Sequence, residues 1–183
     1  MTKFIFLDID GVLNSHRQAC GSGGIPYHFN EELKPRFDWN AVGMLRKLQQ
    51  EDLSIKFVLS SSWRIGAPNV YEVAGNYLGI SFHGQTDTKG YWRGEEIQRY
   101  LDANPEVEDY AIIDDDSDML ESQKDHFVQT TFRNGMLYDH FVALQNILDR
   151  RNLGTKHYRT DEYWLKHTHP DFPERQYQEE ISE

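Results

Sequence analysis

The segment that most constrains this chain is Phe4-Ile5-Phe6-Leu7-Asp8-Ile9-Asp10-Gly11-Val12-Leu13-Asn14. Four apolar residues in succession read as a strand buried on both faces, the pattern of a central strand in a parallel sheet. The run ends in two carboxylates at i and i+2, Asp8 and Asp10, followed by Gly11. Within a strand such positions project to one side. The glycine permits a sharp turn and close approach of a ligand to the backbone. Two carboxylates held this close resist joint ionisation unless a cation lies between them. An isolated Asp-x-Asp is more simply a strand end with two solvated acids, so its meaning depends on what else the fold brings to that edge.

The remainder alternates strands and helices. A long loop is expected over 15–37, carrying Gly21-Ser22-Gly23-Gly24, two prolines and Cys20. It lacks the Gly-Lys-Ser/Thr ending of a Walker phosphate loop and reads either as a flap over Asp8 or as a surface linker. Asp38 is placed to cap a helix over 39–51, whose Val42, Leu45 and Leu48 share one face. A buried strand follows over 53–59 and ends at Ser60-Ser61-Ser62-Trp63-Arg64. A helix over 69–78 ends at Gly79, and a short strand is expected over 80–83. Lys89 lies in the next loop, and Arg93 opens a helix to about Ala103 with Ile97 and Leu101 inward. Tyr110-Ala111-Ile112-Ile113 is a further strand, ending in Asp114-Asp115-Asp116-Ser117-Asp118. A strand over 126–130 and a helix over 139–150 complete the pattern. Alternation with short connections implies βαβ units, a parallel sheet and helices on both faces. The carboxyl ends of all strands then share one edge, where such sheets bind ligands. Three strands end there in reactive residues: Asp8/Asp10, Ser60/Ser61 and Asp114/Asp115.

The chain has 183 residues, enough for one domain with a proper core, and its 38% hydrophobic and 13% aromatic content is that of a globular protein. Its net charge of −11 argues against an extended nucleic-acid surface, which needs many Lys and Arg to release counterions, but not against a nucleotide or a strand end. A single cysteine provides no disulfide framework, and the short N-terminal apolar run is neither a signal peptide nor a membrane span. A soluble cytoplasmic protein without membrane contacts is expected.

In order and spacing, Asp8-Ile9-Asp10-Gly11, Ser60, Arg93 (or Lys89) and Asp114-Asp115 with Asp118 resemble the four motifs of the haloacid dehalogenase (HAD) superfamily, phosphatase branch, over 4–150. Leu-Asp-Ile-Asp-Gly-Val-Leu-Asn, Ser-Ser-Ser-Trp-Arg and Arg-Gly-Glu-Glu-Ile most resemble the small HAD domains associated with RNA-repair proteins. The resemblance implies a three-layer α/β/α Rossmannoid fold with a central parallel sheet and no sizeable cap domain. It implies Asp8 as nucleophile, Asp10 as general acid and base, Ser60 on the phosphoryl oxygens and a cation in the third motif. Arg93 is favoured over Lys89 for that cation, although Lys is usual there. Gly11, Ser61, Lys89 and Arg64 are candidate substrate contacts. Asp8, Asp10, Asp114, Asp115 and Asp118 are candidate metal ligands, and Asp116 is read as solvated. Asp at position 10 distinguishes the phosphatase branch from the ATPase branch, which has Thr there.

The chemistry agrees. A carboxylate meeting a phosphate charge at about 4 Å, at an effective dielectric of about 20, faces about 4 kcal/mol of repulsion, and a dianion roughly doubles it. A hard divalent cation, Mg²⁺, suits the oxygen ligands and cancels the repulsion. The expected substrate is a small phosphorylated molecule, a nucleotide or a polynucleotide end. A non-catalytic phosphate-binding module and a phosphoprotein phosphatase are the alternatives.

Other residues carry open readings. Trp63 lines the substrate mouth or caps the core. His16 and Arg17 contact a leaving group or belong to a solvated flap, and Tyr91 and Trp92 stack on a base or pack at the rim. Residues 151–183 form a charged, aromatic-containing extension, expected to pack on or near the core with a helix around 160–167; His167 and His169 within it read as solvated.

Overall fold

A computed structural model describes residues 2–148; the C-terminal extension, its expected helix and its histidines lie outside the described residues. Five strands form one parallel sheet: β1 (Thr2–Leu7), β2 (Ile55–Leu59), β3 (Phe82–Gln85), β4 (Val107–Asp114) and β5 (Phe127–Gln129). Their spatial order is β3-β2-β1-β4-β5. The chain therefore builds outward from β1 to β3, then returns across β1 to add β4 and β5. Strand order reverses between β1 and β4, which is where open parallel sheets bind their ligands.

Helices α2 (Trp39–Glu51), α3 (Val70–Leu78) and α5 (Tyr138–Leu148) cover one face. They bury Val42, Leu45, Leu78, Phe141 and Leu144 against Ile5, Leu7 and Phe57. On the other face, Ile97 of α4 (Arg93–Asp102) packs on Phe4, Phe6, Val58 and Ile112. Alternation along β1 thus divides its residues between the two cores, and the layers are those of the expected three-layer α/β/α fold. No large cap is present among the described residues. No helix among them is long and apolar enough to cross a membrane.

Asp38 caps α2 as expected, its Oδ1 accepting from the Asn40 and Ala41 amides at 3.1 and 3.2 Å. The expected loop over 15–37 is instead largely ordered by capping. Ser15 caps a short helix, α1 (His16–Ser22), which closes at Gly23 in the left-handed region (φ 81°). Asn30 then caps a 3-10 helix, Glu31–Arg36. Arg17 ties the segment down through Asp38 at 2.5 Å, and Tyr77 Oη donates to Asn30 O at 2.7 Å. The segment is thus tied to the core at both of its helices, and Tyr27 and Phe29 between them come beside Asp10. His16 stacks edge-on against Phe132 with ring centres 4.9 Å apart. The third strand runs Phe82–Gln85 instead of 80–83, because β2 pairs Leu59 with Gln85.

Candidate active site

The ladder that aligns the strands also aligns the site. Leu7 pairs with Leu59 on one side and Ile113 on the other, and Leu59 pairs with Gln85. One residue further, Thr86, Ser60, Asp8 and Asp114 form a single row across the carboxyl edge, with the backbone ladder continuing through Asp8 N to Ile113 O (3.1 Å) and Ser60 N to Leu7 O (3.0 Å). Alternation places this row on the same face as Phe6, Val58 and Ile112, the face that α4 covers. Arg93 lies one helical turn before Ile97 and so reaches the row: its Nη1 is 3.5 Å from Asp8 Oδ1 and 3.7 Å from Asp114 Oδ2.

Asp8, Asp114 and Asp115 each offer an oxygen within 4.8 Å of the others, and the first two are buried. Burial is the main cause that pushes the Asp8 carboxyl up; Arg93 and a hydrogen bond from Ser61 oppose it. Asp114 is also raised, first by burial and then by the charge of Asp8. Burial raises Asp115 as well, with Asp116 adding to it. Asp114 Oδ2, Ser60 Oγ and Thr86 Oγ1 are buried without a hydrogen-bond partner, so the row carries polar atoms the protein itself does not satisfy. Hard oxygen donors, mutual proximity and a buried carboxylate oxygen that accepts no hydrogen bond together fit a divalent cation.

Other residues take different places. β1 ends at Leu7, so Asp10 lies in the following turn and not on the strand face shared with Asp8. Its Oδ1 accepts from Asn14 Nδ2 and its Oδ2 from Trp63 Nε1, both at 2.8 Å. Asp10 is therefore outside the carboxylate group that could hold a metal. So is Asp118, whose Oδ2 accepts from the Arg93 backbone amide at 2.9 Å and fixes the start of α4. Lys89 is exposed, its amide bound to Asp87 Oδ1 at 3.1 Å, which leaves Arg93 as the cation at the row. Asp116 is exposed, as expected.

Arg64 is not a substrate contact. It is buried and donates to the carbonyls of Ser61 (2.5 Å), Thr86 (3.1 Å), Asp87 (2.9 Å) and Ser60, and it pairs with Glu96. Gly11 does have a positional requirement. Its φ is +68°, and a Cβ there would lie 2.2 Å from Asp115 Cγ. Asn14 and Trp63 are the residues whose role sequence reasoning missed. Asn14 stands i+4 from Asp10 within the opening motif, a spacing that signals a local contact; the Trp63 contact spans 53 positions and has no local signal.

An open parallel sheet whose switch point carries three carboxylates and an arginine is the arrangement of a HAD-type domain, from a superfamily rich in hydrolases and phosphatases that generally uses a divalent metal. The chain belongs to the family described as the HAD domain in Swiss Army Knife RNA repair proteins, whose model matches residues 4–141. No curated protein and no solved structure matches it.

Proposed function

We propose that this domain is a phosphomonoester hydrolase acting on a small nucleotidic substrate through an aspartyl-phosphate on Asp8. The observation that carries this reading is the buried Asp8–Asp114–Asp115 group with Arg93 against two of its members. Asp8, Asp114 and Asp115 would hold a divalent cation, Mg²⁺ by the hardness of the donors, which would supply the charge that offsets repulsion between carboxylate and phosphate. Arg93 adds to that compensation and stabilises charge on the equatorial phosphoryl oxygens. A carboxylate oxygen of Asp8 attacks phosphorus, and the ester P–O bond breaks. Asp10 gives its proton to the departing oxygen. Asp10 then takes a proton from a water that attacks the acyl phosphate, which releases inorganic phosphate and regenerates Asp8. Asn14 and Trp63 fix the Asp10 carboxylate for both transfers. The family's link to RNA repair supports a nucleotidic phosphomonoester.

The test is chemical trapping. A single turnover with Mg²⁺ and a nucleoside monophosphate, quenched in acid and reduced with borohydride, is expected to convert Asp8 to homoserine in the N-terminal peptide. Nucleoside released in a burst ahead of phosphate, without that conversion, would place the nucleophile elsewhere.

A further inference from the structure

Beside the phosphoryl end of the site lies a cavity of about 740 Å³, within the roughly 300–1,000 Å³ usual for small-molecule sites. Asp10 stands in its wall, together with Tyr27, Phe29, Trp63, Ile65 and Phe132. An acid that protonates a leaving oxygen must border the leaving group, so the body of the substrate occupies the space next to Asp10. Among the described residues no Lys or Arg lines that space, and its polar lining besides Asp10 includes His28 and Ser62. Tyr27 and Ile65 line it while 71% and 64% exposed, and Val73 while 52% exposed. Large apolar side chains gathered around one opening mark a ligand groove more readily than a bare surface. Phe29 and Trp63 form a wall with ring centres 4.8 Å apart.

We propose that this cleft binds the leaving group as a single uncharged, planar-ring alcohol, a nucleoside, held by stacking, so that the substrate is a nucleoside monophosphate and not the end of a nucleic-acid strand. This rests on the hydrolase reading above. A hexose leaving group offers no aromatic face to the rings of Tyr27, Phe29 and Trp63. A further phosphodiester would meet no Lys or Arg among the described residues of the cleft and an acidic protein of net charge −11. Planar bases stack on aromatic faces without needing such cations.

The test compares kcat/KM, with Mg²⁺, for adenosine 3′- and 5′-monophosphates, for an adenine oligonucleotide bearing the same terminal phosphate, and for glycerol 1-phosphate. A mononucleotide is expected to exceed glycerol 1-phosphate by about tenfold or more, the scale of one stacked base. It is also expected to match or exceed the oligonucleotide, with KM nearly independent of salt. Tyr27→Ala and Ile65→Ser are expected to raise KM for the mononucleotide several-fold more than for glycerol 1-phosphate. Equal rates for the mononucleotide and glycerol 1-phosphate would overturn the cleft assignment and leave the hydrolase standing. An oligonucleotide preferred by more than about tenfold, with the steep salt dependence of phosphate contacts, would do the same. Calorimetric titration of Asp8→Asn with the mononucleotides separates the two readings. Binding weakened by Tyr27→Ala supports the cleft even if no substrate is turned over, and absence of binding overturns it.

Discussion

At the scale of single residues, Gly11 is held at φ +68° with Asp115 packed where a side chain would be. Gly11→Ala is therefore expected to displace the Asp115 carboxylate and weaken Mg²⁺ binding at least tenfold, measured by calorimetry, while the far-ultraviolet circular dichroism stays that of the wild type. Asp8 and Gly11 were legible because a buried strand ending in acids and a glycine has few physical resolutions, whereas Trp63 was not legible as an Asp10 partner, since its indole N–H reaches a carboxylate 53 positions away. Trp63→Phe keeps a ring but removes that donor. It is expected to lower kcat about tenfold, a fraction of the roughly 10²–10⁴ that positioned acid–base groups supply, with the melting temperature little changed. An unaltered kcat would show that Asn14 alone orients Asp10.

Among the elements, apolar periodicity located the strands and helices of the sheet, because each must bury a face. It missed α1 and the 3-10 helix Glu31–Arg36, whose order comes from capping by Ser15 and Asn30 and from the Arg17–Asp38 pair. Arg64, expected as a substrate contact, instead joins the ends of β2 and β3 to Glu96 on α4. Sequence position does not reveal this, since the carbonyls it satisfies lie on two separate strand ends. Removing one partner of a buried pair leaves a buried charge, at a cost of about 3–5 kcal/mol. Arg64→Ala is expected to lose stability of that order in urea unfolding. Glu96→Gln, which keeps a hydrogen-bonding shape, is expected to lose less. Equal losses below about 1 kcal/mol would mean that the brace is not structural.

For the molecule as a whole, the acidic row couples folding to pH and metal. Asp8 is pushed up to about 6 and Asp114 to about 8, both above the unfolded value of 3.8. A carboxyl group raised in the folded state favours folding at low pH, and that contribution is lost as pH rises through the folded values. The metal-free protein is thus expected to lose stability between about pH 4 and pH 8 at these two groups. Mg²⁺ binds the ionised carboxylates, so it should raise the melting temperature more at pH 8 than at pH 5 and release protons on binding. A Mg²⁺ effect independent of pH would separate the ion from this row.

The central claim is that Asp8 attacks phosphorus in a metal-dependent hydrolysis. The most direct measurement is phosphate release from a nucleoside monophosphate by the wild type and Asp8→Asn, each with Mg²⁺ and with chelator. The mechanism expects turnover only for the wild type with Mg²⁺, reduced by at least about 10³ in Asp8→Asn, as for other covalent nucleophiles whose loss leaves only the surrounding electrostatics. Turnover that persists in Asp8→Asn, or in chelator, would contradict it.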